Sequence, residues 1–262
     1  MPARLSPPPD FPSLAARPAP QVFRTDISVN GRARELHIPA GAQDDARAIF
    51  EGREYPTKLF RAATVSTILD IGAHVGFASL YFHMQFPSAQ IHAFEPVREN
   101  QALFRANLRG LPGVQLHPFG LGASDEQRTL HLSRQFGLGA SSVVKTRDHE
   151  DESEEIELRS ASEVVGSLLA PDESISLLKI DTEGFEFVLL EQLKAWLPRT
   201  DAIFLEVHSD RRRRDIDRLL DQDFLLRHCE VPFGHRIKLL YLSRAAMLQK
   251  RVTSVFAPEI FI

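Results

Sequence analysis

The chain has 262 residues, 43% of them hydrophobic, and a formal net charge of −4, which fits one large domain, or one domain with appendages, around a packed core. That charge gives no global pull toward nucleic acid or an anionic membrane, and no apolar run approaches the roughly 20 residues that span a bilayer. Cys229 is the single cysteine, which excludes an internal disulfide framework and fits a reducing compartment; with no secretory signal visible, a cytoplasmic protein is expected.

Residues 1–21 are proline-rich and include Pro7-Pro8-Pro9. Such a segment cannot form a helix or an inner strand and reads as a flexible arm. Strand-like stretches at 22–29 and 32–38 flank Asn30-Gly31, a strong two-residue hairpin signal. A short helix is expected at 44–54, so that residues 22–61 form a small cap ahead of a core domain at 62–262. From Thr64 the pattern alternates. Residues 65–71 are an apolar run, and Phe77, Leu80, Tyr81 and Met84 recur at helical spacing over 77–85. A strand at 90–95, a helix at 97–108 and a strand at 114–119 follow. Short strands are expected at 128–133, 142–145 and 156–160, with an exposed acidic loop at 149–157. A helix at 161–169, a strand at 175–181, a helix at 185–196, a strand at 202–208 and a helix at 211–220 continue the series. Strands at 224–229 and 237–242 close it, with Val231-Pro232-Phe233-Gly234-His235 as a turn between antiparallel partners.

Apolar strands alternating with amphipathic helices predict an α/β fold, a mostly parallel sheet covered on both faces. Ligands in such folds bind at the carboxyl ends of the strands, near the switch point of strand order. That rule selects Gly72 to Gly76, Glu95, the stretch 119–124, Asp181 and the stretch 206–210.

The stretch "TILDIGAHVGF" at 67–77 runs from a strand through a glycine turn into a helix. A dinucleotide fingerprint needs glycine at the positions held by His74 and Phe77, and no Gly-Lys-Ser/Thr phosphate loop occurs. A pyrophosphate ligand is therefore disfavoured. What remains is Asp70, Gly72 and Gly76, an acid followed by two glycines that permit a tight turn and close backbone approach. Glu95 ends the next strand, about twenty residues on, where a carboxylate can accept from ribose hydroxyls. Two acids and no phosphate-binding element match S-adenosylmethionine, with its ammonium and sulfonium groups, better than NAD.

Five motifs extend this reading: "ILDIGAHVGFAS" at 68–79, "AFEPVRENQALFRANL" at 93–108, "GLGASD" at 120–125, "SSVV" at 141–144 and "LLKIDTEGFEFVLLE" at 177–191. Together they resemble the FkbM-type S-adenosylmethionine-dependent methyltransferases, and the Lys-Ile-Asp-x-Glu-Gly-x-Glu run in the last is the most specific of them. One departure is visible: Ala161-Ser162 stand where that family usually shows Leu-Asp. The resemblance implies a Rossmann-like class I methyltransferase fold, a seven-stranded mostly parallel sheet with the last strand antiparallel and helices on both faces. It also implies methylation of hydroxyl oxygens on small molecules such as sugars or natural products.

The expected cofactor site comprises Asp70, Gly72, Ala73, His74, Gly76, Glu95, Pro96, Gly120, Gly122 and Asp181, with Gly120 and Gly122 beside the adenine. His74 reads as a loop residue of the turn rather than a catalyst. Methyl transfer to an alcohol needs an aligned acceptor and a group that removes its proton. Asp181 and His208 are the catalytic candidates, His208 because histidine titrates near neutrality and strand alternation puts it on one face with Glu206. Glu183 and Glu186 read as acids at a helix start. A divalent metal held by Asp181, Glu206, His208 and Asp210 is possible but not favoured, for want of compact ligand spacing, and no metal ligand is assigned. Arg211 to Arg214 read as a solvated helix face paired with nearby aspartates, and Cys229 as packed within an apolar strand. Nitrogen methylation of an amine is the alternative activity, although no Asn-Pro-Pro-Tyr/Phe motif is present. A non-catalytic binding module is the alternative from another class. A small-molecule acceptor is expected, with no nucleic-acid or membrane partner.

Overall fold

Apolar runs too short for helices alternate with amphipathic stretches, and burying both requires a sheet sandwiched between helices. The computed structural model describes residues 21–132, 141–142, 153–182, 184–231 and 236–253; the proline-rich stretch before Gln21, residues 143–152, Glu183 and the turn at 232–235 lie outside them. In chain order the elements are β1 (Val22–Val29), β2 (Arg32–Pro39), α1 (Gln43–Phe50), β3 (Thr67–Ile71), α2 (Phe77–Gln85), β4 (Gln90–Phe94), α3 (Arg98–Asn107), β5 (Val114–His117), β6 (Gly120–Gly122), β7 (Glu126–Leu132), β8 (Ser141–Ser142), β9 (Ser153–Ser160), α4 (Ala161–Leu168), β10 (Leu177–Ile180), α5 (Glu186–Gln192), β11 (Ala202–Val207), α6 (Asp210–Leu220), β12 (Phe224–Glu230), β13 (Ile237–Ser243) and α7 (Arg244–Leu248).

The main sheet has seven strands in the order β12-β13-β11-β10-β3-β4-β5. Neighbours from β11 to β5 are parallel. β13, the last described strand, runs antiparallel to both β11 and β12. The fold is therefore the expected Rossmann-like one, and strand order reverses between β3 and β10, which places the turn after β3 at the switch point.

Successive strand residues point to opposite faces, and the two hydrophobic clusters follow that period. Ile68, Leu177, Phe204, Leu240 and Leu242 join the cluster that holds α2 residues Leu80 and Phe82. Leu69, Leu178, Ile203, Leu205, Leu239 and Tyr241 join the one that holds Leu189 and Leu190 of α5 and Ile216 of α6. Both faces being covered, β3 and β10 are buried at every residue.

Asn30 and Gly31 take φ of 52° and 78°, the left-handed pair that a two-residue turn between twisted strands requires. β1 and β2 pair in full register across it. The hairpin is not an independent unit. Val29, Leu36, Ala42, Ala46 and Ile49 are buried in the same cluster as Leu80 and Phe82, and Asn107 at the end of α3 locks it there. The Asn107 Oδ1 accepts from His37 N at 2.7 Å, and its Nδ2 donates to His37 O and, at 2.9 Å, to Val75 O in the glycine turn.

Four expectations change. Residues 153–157 are not a solvated loop but part of β9, with Ile156 buried; alternation of apolar and acidic residues, rather than acid density, set the structure. A strand not expected at 120–122, β6, joins a second sheet in the order β6-β9-β7-β8. The helix at 185–196 stops at Gln192 because three-residue-type bonds, Lys194 N to Glu191 O and Trp196 N to Leu193 O, tighten the chain before Pro198. Cys229 is exposed, because β12 is an edge strand whose side chains are largely in solvent. No helix among the described residues is long and apolar enough to cross a membrane.

On β4 and β5 the rings of His92 and Phe94 stack on His117, Phe94 at 4.6 Å, and Phe119 just past β5 lies tilted 6.0 Å from Phe94 with Arg159 over it. Burial, with the nearby His92 and Arg159, lowers the His117 pKa to about 4. The unfolded chain then binds a proton that the folded one refuses between about pH 6.5 and 4. Stability is complete above that window and falls as pH drops through it. Urea denaturation is expected to show roughly 2 kcal/mol less stability at pH 5 than at pH 7 from this group, and His117→Phe to remove that difference.

Candidate active site

β3 ends at Ile71 and the chain turns sharply at Gly72, whose φ is 79°. Glycine is required for a second reason: a β-carbon there would lie 1.8 Å from the Asp181 carbonyl oxygen just beyond β10. Gly76, with φ of 88°, caps α2, and a β-carbon on it would meet Leu108 at 2.3 Å and Phe104 at 2.8 Å. One glycine brings the turn against β10; the other lets α3 close on it. The turn is held from below. The N–H groups of Gly72 and Ala73 both donate to Phe94 O at 3.0 Å, and that of His74 donates to Glu95 Oε2 at 2.9 Å.

Glu95 is 4% exposed. Its Oε1 accepts from Val97 N at 3.0 Å and Asn100 Nδ2 at 3.1 Å. A carboxylate offers about four acceptor positions, and with His74 N on Oε2 one position remains. Burial raises the Glu95 pKa; the bonds from Asn100, Val97 and His74 and the charge of Lys179 offset part of the rise. Beside it Asn100 Oδ1 is buried without a hydrogen-bond partner among the described residues.

Asp70 is fully buried. Ser79 donates to its Oδ2 at 2.6 Å, and Lys179 Nζ, from the adjacent position on β10, lies 3.1 Å from Oδ1. The same ammonium donates to Gly72 O at 2.5 Å. Burial alone would lower the Lys179 pKa, but the charges of Asp70, Asp181 and Glu95 outweigh it and raise the value, so the group is charged.

These elements enclose a cavity of about 220 Å³. The Gly72, Ala73 and His74 turn, Glu95, Pro96 and Asn100 line one wall, and Gly120 with Leu130, Ile156 and Leu158 of the second sheet line another. Lys179, bonded to Gly72 O, lies beside the turn, and Asp181, Thr182, Glu206, Arg236 and Lys238 with Asp45, Glu54 and Tyr55 from the N-terminal segment complete the lining. Lys179 and Asp181 also border a smaller space of about 30 Å³ beside Glu54, Tyr55, Glu206 and Lys238. Each cation here faces a carboxylate: Lys238 meets Glu54, Arg236 lies 3.6 Å from Glu206, and Lys179 holds Asp70. Burial pulls the Lys238 pKa down, but Glu54 and then Glu206 more than reverse it.

Of the expected residues, Gly72, Ala73, His74, Glu95, Pro96, Gly120 and Asp181 meet at this cavity. Four do not line it. Asp70 lies beneath the turn, where its counter-charge is the internal Lys179 rather than a ligand. Gly76 faces α3, and Gly122 faces Leu158. His208 stands 3.3 Å from Glu206 Oε1, on the face that alternation gives it, but the ring itself does not line the cavity. Its Glu206 partner is on the wall instead. Burial pushes the Glu206 pKa up, and the bond to His208 with the charges of Arg236 and Lys238 outweighs this and lowers it. Asp181, Glu206, His208 and Asp210 form no metal cage; no such cluster occurs among the described residues. Glu186 caps its own helix start, accepting from Gly184 N at 2.8 Å, and the Arg213 and Arg214 side chains pair with Asp210 and Asp217.

With this geometry in place, comparison with known proteins is decisive: the family model for the methyltransferase FkbM domain matches residues 70–230. The chain belongs to the FkbM methyltransferase family. It is 28% identical over 208 residues to the 31-O-demethyl-FK506 methyltransferase FkbM of Streptomyces tacrolimicus, covering 68% of this chain and 79% of that one. It is 30% identical over 183 residues to the AMB antimetabolite synthetase AmbE of Pseudomonas aeruginosa, 56% of this chain but 8% of that protein. Methyltransferase 1 of Beauveria bassiana is 28% identical over 147 residues, 49% of this chain and 58% of that protein. The chain thus spans less than two thirds of the length of two of these curated relatives. Among solved structures, a fibrillarin pre-rRNA processing protein of Methanococcus jannaschii is 10% identical with a TM-score of 0.49, covering 84% of this chain and 82% of that one.

The site also holds residues that sequence reasoning left without a role. Lys179 interrupts the apolar run "LLKI", and Lys238 interrupts "IKLLYL"; an isolated charge in a buried strand is the signal that could have found both. Asn100, five residues after Glu95, was hidden in an ordinary helix start. Two of the φ-positive glycines, Gly31 and Gly72, give a direct comparison. Gly31→Ala, with nothing within 4 Å of the new β-carbon, is expected to cost about 1 kcal/mol of backbone strain. Gly72→Ala is expected to cost about 2–3 kcal/mol more, since β10 must move away. Urea denaturation of both variants checks this; equal losses would mean that the Asp181 contact yields freely.

Proposed function

We propose that this FkbM-family chain binds S-adenosylmethionine and methylates a hydroxyl oxygen of a small molecule, such as a sugar or natural product. Residues 22–61 act as the cap over the acceptor end. The observation that carries this reading is one cavity joining the glycine turn and buried Glu95 to Asp181 and the cap residues Glu54 and Tyr55. The spare acceptor position on Glu95 and the unpartnered Asn100 Oδ1 suit two neighbouring ribose hydroxyls, which are donors. Gly120 and the apolar Leu130, Ile156 and Leu158 offer a flat, dry wall for an adenine ring.

When bound, the cofactor supplies a methyl group activated by its sulfonium. The chain's own residues do the rest. In this reading Asp181 orients an acceptor hydroxyl and takes its proton as the bond to carbon forms, a role supported by its bordering both the main cavity and the smaller space beside Glu54 and Tyr55. The cap limits water at that end, which strengthens each electrostatic contact. Arg236 and Lys238 at that end are matched by Glu206 and Glu54, which favours an acceptor without phosphate or carboxylate groups. A relative that by name methylates 31-O-demethyl-FK506 supports an oxygen acceptor.

Calorimetric titration with S-adenosylhomocysteine tests the cofactor. Binding is expected in the wild type, weakened about 30-fold by Glu95→Gln, which removes the charged acceptor. A wild-type chain that takes up no S-adenosylhomocysteine would refute the reading.

A further inference from the structure

The cofactor proposed above is an amino acid at one end, and its carboxylate needs a donor. The glycine turn itself offers that carboxylate no free donor. Among the turn residues that line the cavity, the N–H groups of Gly72, Ala73 and His74 are all spent on Phe94 O and Glu95. Asp181 and Glu95 on the same walls would repel a carboxylate. Arg236 and Lys238 lie at the far end beside Glu206 and Glu54.

Lys179 is the exception. Its side chain is 5% exposed, it borders the cavity between the turn and Asp181, and its ammonium has three N–H groups. One is donated to Gly72 O at 2.5 Å, and a second direction is taken up by the ion pair with Asp70 Oδ1 at 3.1 Å. A third has no acceptor among the described residues. We propose that this third N–H binds the carboxylate of the cofactor's methionine part, so that Lys179 is a cofactor-binding residue as well as the counter-ion of Asp70. The inference rests on the S-adenosylmethionine reading above. It gives the buried lysine a reason to be there. Asp70 sets its charge and position, Gly72 O fixes its direction, and the remaining donor faces the ligand.

Lys179→Met alone would leave Asp70 buried and uncompensated. The test therefore uses the double variant Lys179→Met/Asp70→Asn, which removes both charges together, with its thermal unfolding measured to confirm that it folds. Two ligands are titrated by calorimetry: S-adenosylhomocysteine, and 5′-methylthioadenosine, which keeps the adenosine and sulfur but lacks the amino-acid end. The expected result is a loss of about 20-fold or more for S-adenosylhomocysteine, with the affinity for 5′-methylthioadenosine changed less than about threefold. Parallel losses for the two ligands would make Lys179 a prop for the turn and overturn the proposal. Unchanged affinity for both would put the carboxylate elsewhere, for instance at the start of α2, and overturn it too. Lys179→Arg, which retains a cation beside Asp70, is expected to keep S-adenosylhomocysteine preferred over 5′-methylthioadenosine; loss of that preference counts against the proposal. If the wild type binds neither ligand, the cofactor reading itself fails, an outcome distinct from all of these.

Discussion

An ammonium and a carboxylate shut away from water join the two central strands. Asp70 and Lys179 sit side by side in register on β3 and β10, 0% and 5% exposed at the side chain. Desolvating such a pair costs several kcal/mol per ion, and its attraction repays this only when the remaining donors and acceptors are also satisfied. Here Ser79 from α2 bonds the carboxylate, and Gly72 O receives the ammonium. The pair thereby connects a strand, its neighbour, the turn and the following helix. An apolar pair of similar volume could hold the strands as firmly, but it would not tell the Gly72 carbonyl where to point. The close approach of Gly72 to Asp181 O depends on that direction. So does the position of the turn's outward face, which forms the cavity wall.

The cap depends on the same turn. Asn107 spends its side chain on His37 of the hairpin and on Val75 O within the turn, so hairpin and turn share one buried amide. Aromatic contacts extend the seam: Tyr55 lies 5.0 Å from Phe82 and 5.2 Å from Phe204, and Thr57 bonds the Tyr81 hydroxyl at 3.0 Å. A cap anchored this way cannot be displaced without exposing apolar surface that also belongs to the core of α2. Its charged tip is anchored separately, through the Glu54–Lys238 pair to β13. The end proposed for the acceptor is thus bounded by residues 45–55 and 236–238, while the turn and Glu95 come from β3 and β4. The two ends of one cavity are therefore built by parts of the chain that can change independently, which is how a family can keep one methyl donor and vary the acceptor.

That division also explains what was readable from the sequence. The hairpin, the strand–helix alternation and the antiparallel final strand were legible because each is written in a local period or a turn dipeptide. Glu95 and the glycine turn were legible because a close backbone approach admits few residue types. Gly76 belonged to the same motif for a different cause, the packing of Phe104 and Leu108, and no spacing rule separates a glycine that clears space for a ligand from one that clears space for a helix. Alternation did put His208 beside Glu206, 3.3 Å away, but it could not say which of the two would line the cavity, and that residue is Glu206. Asp70 illustrates the deeper limit. An acid at the end of a buried strand demands a positive partner, and the sequence cannot say whether that partner is a ligand or a lysine more than a hundred residues later. Lys179 and Lys238 posed the same demand in reverse, as lone cations in apolar strands. Burial makes such a charge conspicuous, because it cannot stay unpaired; only the strand order, which puts β10 beside β3 and β13 beside β11, decides which acid answers it.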